Sequence, residues 1–282
     1  TTLLSELLLD EPFDELTISS EEEAKRTLLV IPHTSGSTGR PKGMLIPHYS
    51  LIAQCACEVA RDPFLQQASK ENRLKPRSAL FTLFQTQAYG LYFSAIEYVC
   101  RGITTIEGKM FDIQNVLSLV DQYKPSEIRG IPKIYYDWIE NFDELCHYDT
   151  SSLKGLYSTG IIFAPEMKEK LERLTGLLIS SEYGTSESMG VARNEAFGQP
   201  PYAVGTLYTS VKLKVIDEQG KLLGPNELGE ICVKTLAEML DYTFLDDGSG
   251  KARKPIRDSE GYFYTGDLGM MTEDGVLRVF ER

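Results

Sequence analysis

Apolar and polar positions recur along this chain with two different periods. Ile113, Val116, Leu117 and Val120 are spaced as one helix face, and Met167, Leu171 and Leu174 repeat that spacing behind Pro165. Residues three and four apart share a helix face and proline suits a first turn, so helices are expected over 113–123 and 165–174. Similar patterns predict helices over 49–61, 91–101 and 133–142. Between them stand short apolar runs of strand length at 28–31, 79–84, 103–106, 127–130, 155–158 and 177–180. Strands that alternate with helices imply βαβ units and a largely parallel sheet.

The pattern changes near residue 200. Val211-Lys-Leu-Lys-Val-Ile216 alternates with period two, and Asp217-Glu-Gln-Gly220 supplies a turn. Residues 229–234 and 276–279 read as further strands between Gly- and Asp-rich turns. The expected fold class is therefore α/β: mostly parallel βαβ sheet layers with helices, followed by an antiparallel β-rich subdomain. The corresponding divisions are an acidic connector over 1–27, an α/β region over 28–200 and a β-rich region over 201–282.

Composition narrows the function. A chain of 282 residues, 42% hydrophobic and 25% charged, has the make-up of a soluble globular enzyme. Its 29 basic and 41 acidic residues leave a net charge of −12. That balance argues against nucleic-acid or anionic-membrane binding, and it obliges any polyphosphate site to concentrate positive charge locally. No apolar run reaches the ~18 residues of a membrane span, and no secretory signal is visible. Cys55 and Cys57 lie in an apolar helical stretch, and the five cysteines form no disulfide framework. They read as buried reduced thiols of an intracellular protein, cytoplasmic or organellar.

One segment carries concentrated chemistry. Thr34-Ser-Gly-Ser-Thr-Gly-Arg-Pro-Lys-Gly43 packs three glycines, four hydroxyl residues and Lys42 into one loop after the apolar stretch 28–31. Such a loop can aim backbone N–H groups and hydroxyls at phosphate oxygens while the lysine adds a point charge. It is not the common nucleotide P-loop, which requires G-x-x-x-x-G-K-[ST]. Pro41 precedes Lys42, Gly43 follows it, and no Ser or Thr is placed for Mg²⁺.

This loop resembles the signature of the adenylate-forming (AMP-binding) superfamily, which includes acyl-CoA synthetases, aryl-CoA ligases and luciferases. Further segments match that family in order. Ser181-Glu-Tyr-Gly-Thr-Ser-Glu187 is similar to its aromatic-Gly-x-[ST]-Glu segment. Gly229-Glu-Ile-Cys-Val233 resembles its Gly-Glu strand. Tyr264-Thr-Gly-Asp-Leu268 resembles its Tyr-x-Thr-Gly-Asp element, and Val279-Phe-Glu-Arg282 the strand before its hinge.

The resemblance implies ATP-dependent activation of a small carboxylic acid as an acyl-adenylate, with ATP and Mg²⁺ as cofactors. Coenzyme A, or a pantetheine carrier, is the implied acceptor. It assigns phosphate contacts to Thr34, Ser35, Gly36, Ser37, Thr38, Gly39 and Lys42. It places Ala164, Glu182, Tyr183, Gly184 and Thr185 along the nucleotide, with Tyr183 against adenine. Ser186 would meet the α-phosphate, Glu187 would ligate Mg²⁺, and Asp267 and Arg282 would hold the ribose. Lys42, Ser186 and Glu187 are the implied catalytic residues. No general base is needed, because a carboxylic acid is already ionised near neutral pH.

Departures from the family pattern accompany the matches. Gln87 stands where luciferase-like members carry a histidine, and an amide cannot titrate. Gln85 replaces the aspartate that pairs with an α-amino group in peptide synthetases. Ser158-Thr-Gly-Ile-Ile-Phe-Ala-Pro165 is longer and bulkier than the family's Gly-Gly-Ala-Pro loop. The family also has a large part before the phosphate loop and a small lid domain after the hinge, so this chain is expected to be the middle of such an enzyme. The competing reading is a non-catalytic or degenerate nucleotide-binding fragment. Acid substrate, final acceptor and oligomeric state stay open.

Overall fold

The computed structural model describes residues 17–34, 42–61, 77–83, 88–195, 199–243 and 255–281. Its centre is an eleven-stranded sheet. The parallel half runs β6 (Ile103–Glu107), β5 (Arg77–Phe81), β7 (Glu127–Gly130), β8 (Gly155–Ser158) and β9 (Ile179–Thr185). β10 (Met189–Arg193) turns back antiparallel on β9 and is followed by β11 (Ala203–Leu207). β11 pairs with β15 (Leu277–Glu281), and β14 (Phe263–Met271), β13 (Gly229–Lys234) and β12 (Lys212–Ile216) complete the antiparallel half. β1 (Leu28–Val30) pairs with β4 (Ile46–Pro47), and β2 (His33–Thr34) with β3 (Lys42–Gly43).

Helices cover both faces of the parallel half. Successive strand residues point to opposite faces. Leu80, Ile128, Leu156 and Ile179 pack with α4 (Ile113–Tyr123), α5 (Pro132–Glu140) and α7 (Pro165–Thr175). Ala79 and Phe81 face the other side, where α2 (His48–Arg61) and a π-helical segment, Gly90–Glu97, lie with α3 (Tyr98–Cys100). Two short helices, α1 (Glu21–Ala24) and α6 (Phe142–Leu145), complete the described set.

Local chemistry fixes several boundaries. Asp112 caps α4 by accepting from the Asn115 N–H at 2.9 Å. Pro165 opens α7, and Gly176 closes it at φ 69. The aromatic residues of α5 serve the core: Tyr135 and Trp138 are buried, and Tyr135 donates to the Tyr157 carbonyl at 2.7 Å.

The differences from expectation lie where tertiary pairing overrides local pattern. Residues 91–101 form mostly wide π turns. The strand expected over 177–180 begins at Ile179 and runs on to Thr185, because β10 pairs along it. Thr265-Gly-Asp267 lies within β14, with Gly266 at φ 74. A helical stretch over 133–142 breaks at Asn141 into α5 and α6.

Candidate active site

The hairpin of β9 and β10 carries the Tyr183–Glu187 segment around its tip. Gly184 is required there: a Cβ would stand 2.0 Å from the Met189 carbonyl oxygen. Met189 itself sits at φ 54, in the left-handed region. The tip is braced by the Ser188 N–H, which donates to Thr185 Oγ1 at 3.1 Å. Ser186 is half-buried at this turn, while Ser188 and Glu187 are buried.

Two bonds reach out from the hairpin. The Tyr183 phenol donates to Asp267 Oδ2 at 2.8 Å, bringing together segments 84 positions apart. Asp267 is held by a local device: Thr265 donates to the Ile231 carbonyl and accepts from the Asp267 N–H, and Gly266 at φ 74 lets the chain bend between them. On the other side, Tyr242 Oη donates to Glu187 Oε1 at 2.6 Å. The Lys42 ammonium lies over the ring of that same tyrosine, 5.4 Å from its centroid. Lys42 and Glu187 thus meet one neutral side chain from two directions.

The chain around Tyr242 is strapped to the exit of the phosphate loop. Leu45 donates its N–H to the Asp241 carbonyl at 2.8 Å, and Thr243 donates to the Gly43 carbonyl at 2.7 Å. Gly43 is needed at this crossing, since a Cβ would come within 2.8 Å of Thr243 Oγ1. Met239 donates to the Glu187 carbonyl at 2.8 Å, so the strap touches both parts of the site.

Other expected residues fall around this centre in different ways. Ala164 caps α7, and its N–H donates to Tyr136 Oη at 2.9 Å. Glu182 turns its side chain away into a buried ionic network, where Arg129 Nη1 donates to both carboxylate oxygens at 2.9 Å. Any contact of Glu182 with a ligand at the hairpin would use its main chain. Thr34 lies on β2. Ser35, Gly36, Ser37, Thr38, Gly39, Gln85, Gln87 and Arg282 lie outside the described residues.

The network behind the hairpin has no counterpart in the sequence reading. Arg129 of β7, Arg193 of β10 and Arg101 after α3 meet Glu58 of α2, Glu97 of the π-helical segment, Glu127 and Glu182. Tyr98 and Tyr208 add hydrogen bonds to Glu127 and Glu58. Burial, and next the charge of Glu58, push the Glu97 carboxyl up to about 8. For Glu58 burial acts upward too, but the charges of Arg193, Arg129 and Arg101 leave it below the ordinary carboxylate value.

Tyr242 was equally invisible in the sequence. It stands in an irregular stretch, and the loop exit that its strap pairs with is 200 positions away in the Gly43–Thr243 bond. No local periodicity encodes such a pairing.

The donor set suits one divalent cation bound together with phosphate. Among the described residues no group of three or more His, Cys, Asp or Glu side chains forms a closed cage. Mg²⁺ does not require one, because it is commonly held by one or two carboxylates plus substrate phosphates. Tyr92 supports room for a polar ligand near Glu187. Its hydroxyl is buried without a hydrogen-bond partner among the described residues, and the Glu187 charge, after burial, raises its phenol above the ordinary value.

An AMP-binding enzyme family model matches residues 4–243, and the chain belongs to that family. It is 29% identical over 272 residues to a long-chain-fatty-acid–CoA ligase of Bacillus subtilis (strain 168), covering 95% of this chain and 46% of the relative. It is 28% identical over 284 residues to 4-coumarate-CoA ligase 1 of Narcissus pseudonarcissus, covering 96% of this chain and 50% of that one. The solved structure of ATP-bound MatB from Rhodopseudomonas palustris shares the fold, with a TM-score of 0.77 at 24% identity over 92% of this chain and 48% of its own. The chain spans about half the length of the curated relatives it matches. No described helix is long and apolar enough to cross a membrane.

Proposed function

We propose that the protein activates a carboxylic acid with ATP, forming an acyl-adenylate and pyrophosphate, and that a thiol of coenzyme A or a pantetheine carrier then accepts the acyl group as a thioester while the acyl–phosphate bond breaks and AMP leaves. The observation that carries this reading is the meeting of Lys42 and Glu187 on Tyr242 beside the Tyr183–Asp267 pair. One cation, one metal-type carboxylate and one nucleoside-type carboxylate gather around a single hairpin.

In this reading the acid's carboxylate attacks the α-phosphorus, the α–β phosphoanhydride bond breaks, and pyrophosphate leaves. Rate enhancement comes from alignment and charge stabilisation, with no proton to remove. Lys42 attracts the triphosphate and offsets charge that builds on the departing pyrophosphate. Ser186 donates to the α-phosphate. Asp267 accepts from the ribose hydroxyls, and the Tyr183 ring lies against adenine while its phenol keeps the Asp267 carboxylate oriented. Ala164, Gly184, Thr185 and the main chain of Glu182 line the nucleotide. Glu187 would hold Mg²⁺, which supplies charge neutralisation of the phosphates when bound. Names of the relatives support a thiol acceptor: both are CoA ligases.

The test combines calorimetric titration of the protein with ATP and AMP, in the presence of Mg²⁺, with ATP–pyrophosphate exchange across a panel of aryl, short and long acids. Acid-dependent exchange is the expected result. Failure to bind either nucleotide would sink the reading, and binding without exchange for any acid would reduce it to nucleotide recognition.

A further inference from the structure

We propose that Tyr242 is a positioning residue that sets the metal-type carboxylate of Glu187 and the phosphate-type cation of Lys42 in register with each other. The proposal rests on the nucleotide-site reading above and adds to it a residue that no motif match had assigned.

The geometry separates this role from ordinary packing. Packing alone would be satisfied by a phenylalanine. The Tyr242 hydroxyl is instead spent on a charged oxygen, Glu187 Oε1, at 2.6 Å. A charge-assisted bond of this kind restrains the carboxylate and engages one of its two acceptor oxygens. The donor is neutral, so the bond sets no opposite charge beside the Glu187 carboxylate. The ring meanwhile offers its face to the Lys42 ammonium, an attraction that holds the cation without cancelling it. Were the aromatic side chain absent, Lys42 and Glu187 would be left to attract one another directly. That ion pair would withdraw both groups from a magnesium triphosphate.

The backbone beneath Tyr242 is built to hold it still. Leu240 donates to the Leu45 carbonyl at 2.9 Å, and Met44 and Tyr242 form an antiparallel bridge. Arg257 donates to the Met239 and Leu240 carbonyls, at 2.5 and 3.1 Å. Ser50 of α2 donates to the Glu238 carbonyl at 2.6 Å. Ala237 and Met239 are buried beside these anchors. The strap therefore ties the loop exit to the hairpin tip twice, at the backbone through the Met239 N–H and at the Glu187 carboxylate through the Tyr242 side chain.

The experiment compares Tyr242→Phe, Tyr242→Leu and Glu187→Gln with the unmodified protein. Calorimetry gives ATP affinity as a function of Mg²⁺ concentration, and AMP affinity without metal. Loss of the hydroxyl in Tyr242→Phe is expected to weaken Mg·ATP binding about tenfold, the low end for a hydrogen bond to a charged group. Tyr242→Leu should weaken it further, because the ring that faces Lys42 goes too. AMP affinity should stay unchanged in both, since Tyr183 and Asp267 are untouched. A structural role for Tyr242 would instead lower AMP and Mg·ATP affinity together, and that result overturns the proposal, as does no change in either. Glu187→Gln separates the levels of failure. If it alters Mg²⁺ dependence while both Tyr242 variants do not, the positioning role falls and the site stands. If it leaves Mg²⁺ dependence intact, the site reading fails and takes the proposal with it.

Discussion

Charged side chains at the hairpin tip and in the network directly behind it are handled in opposite ways. In the network charge is answered by charge. Arg129 is 2% exposed and meets Glu182, Glu127 and the rings of Tyr98 and Tyr157. Arg193 is 2.6 Å from Glu58. At the tip, Lys42 and Glu187 share a neutral phenol instead. A buried charge that is fully paired can only hold structure, whereas one that rests against a neutral partner keeps its field for a ligand. Glu182 and Glu187 are five residues apart on one hairpin, yet they fall on opposite sides of this division.

The strongest way to break the comparison is to strip the network of its central cation. Arg129→Leu takes from Glu182 its two 2.9 Å bonds and leaves it with Arg193 at 3.6 Å, while Glu127 keeps the cation of Arg77 at 3.0 Å. Breaking a buried ion pair by removing one partner costs about 3–5 kcal/mol. Chemical denaturation should show a loss of that order. A change below about 1 kcal/mol would mean that the network relaxes into water and that its charges are not structural after all.

The same division explains what could be read from the chain alone. Helix and strand periods along 103–175 are local, and β7, β8 and α4 appear where the pattern placed them. The composition of its loop marked Lys42, and the resemblance of their segments to family motifs marked Tyr183, Glu187 and Asp267. Partners remote in sequence were not legible. Glu58 is four residues from Gln54 on a helix, where nothing local marks it, and it is paired with Arg193, 135 positions later. Tyr242 looks like any aromatic residue between strands. Burying a charge is a decision of the tertiary structure, and no local spacing announces it.

Asp267→Asn probes the tip with a smaller expected effect. The variant keeps size and much of the hydrogen bonding in β14 but removes the charge. AMP affinity should fall by roughly 1.5–3 kcal/mol, the range for hydrogen bonds to charged groups. Stability should stay nearly constant, because Asp267 is half-buried and outside the paired network. Calorimetry with AMP, alongside a melting curve, checks both halves. Unchanged affinity would return Asp267 to a purely structural place in the β14 bend.

The smallest effect per step concerns pH and sharpens the comparison from inside the network. Glu97 and Glu58 both approach Arg101, which cannot fully compensate two carboxylates. Glu97 is the one left short: its Oε2 is buried without a hydrogen-bond partner among the described residues, and its carboxyl is pushed up to about 8. The sign follows from linkage. A raised folded value means that Glu97 contributes its stability fully at pH below the ordinary Glu range and loses it as pH climbs to about 8. Between those limits the native chain keeps a proton that the unfolded chain has released, so stability declines with rising pH, by at most about 1.4 kcal/mol per pH unit. Glu58 titrates lower, so its own contribution fades only on acidification. Glu97→Gln fixes the neutral form, so its denaturation free energies at about pH 6 and about pH 7 should differ by less than those of the native chain, by up to that one-proton slope. Equal slopes in both proteins would show that Glu97 is ionised and fully paired. The network would then be saturated throughout, and the contrast with the hairpin tip would be complete.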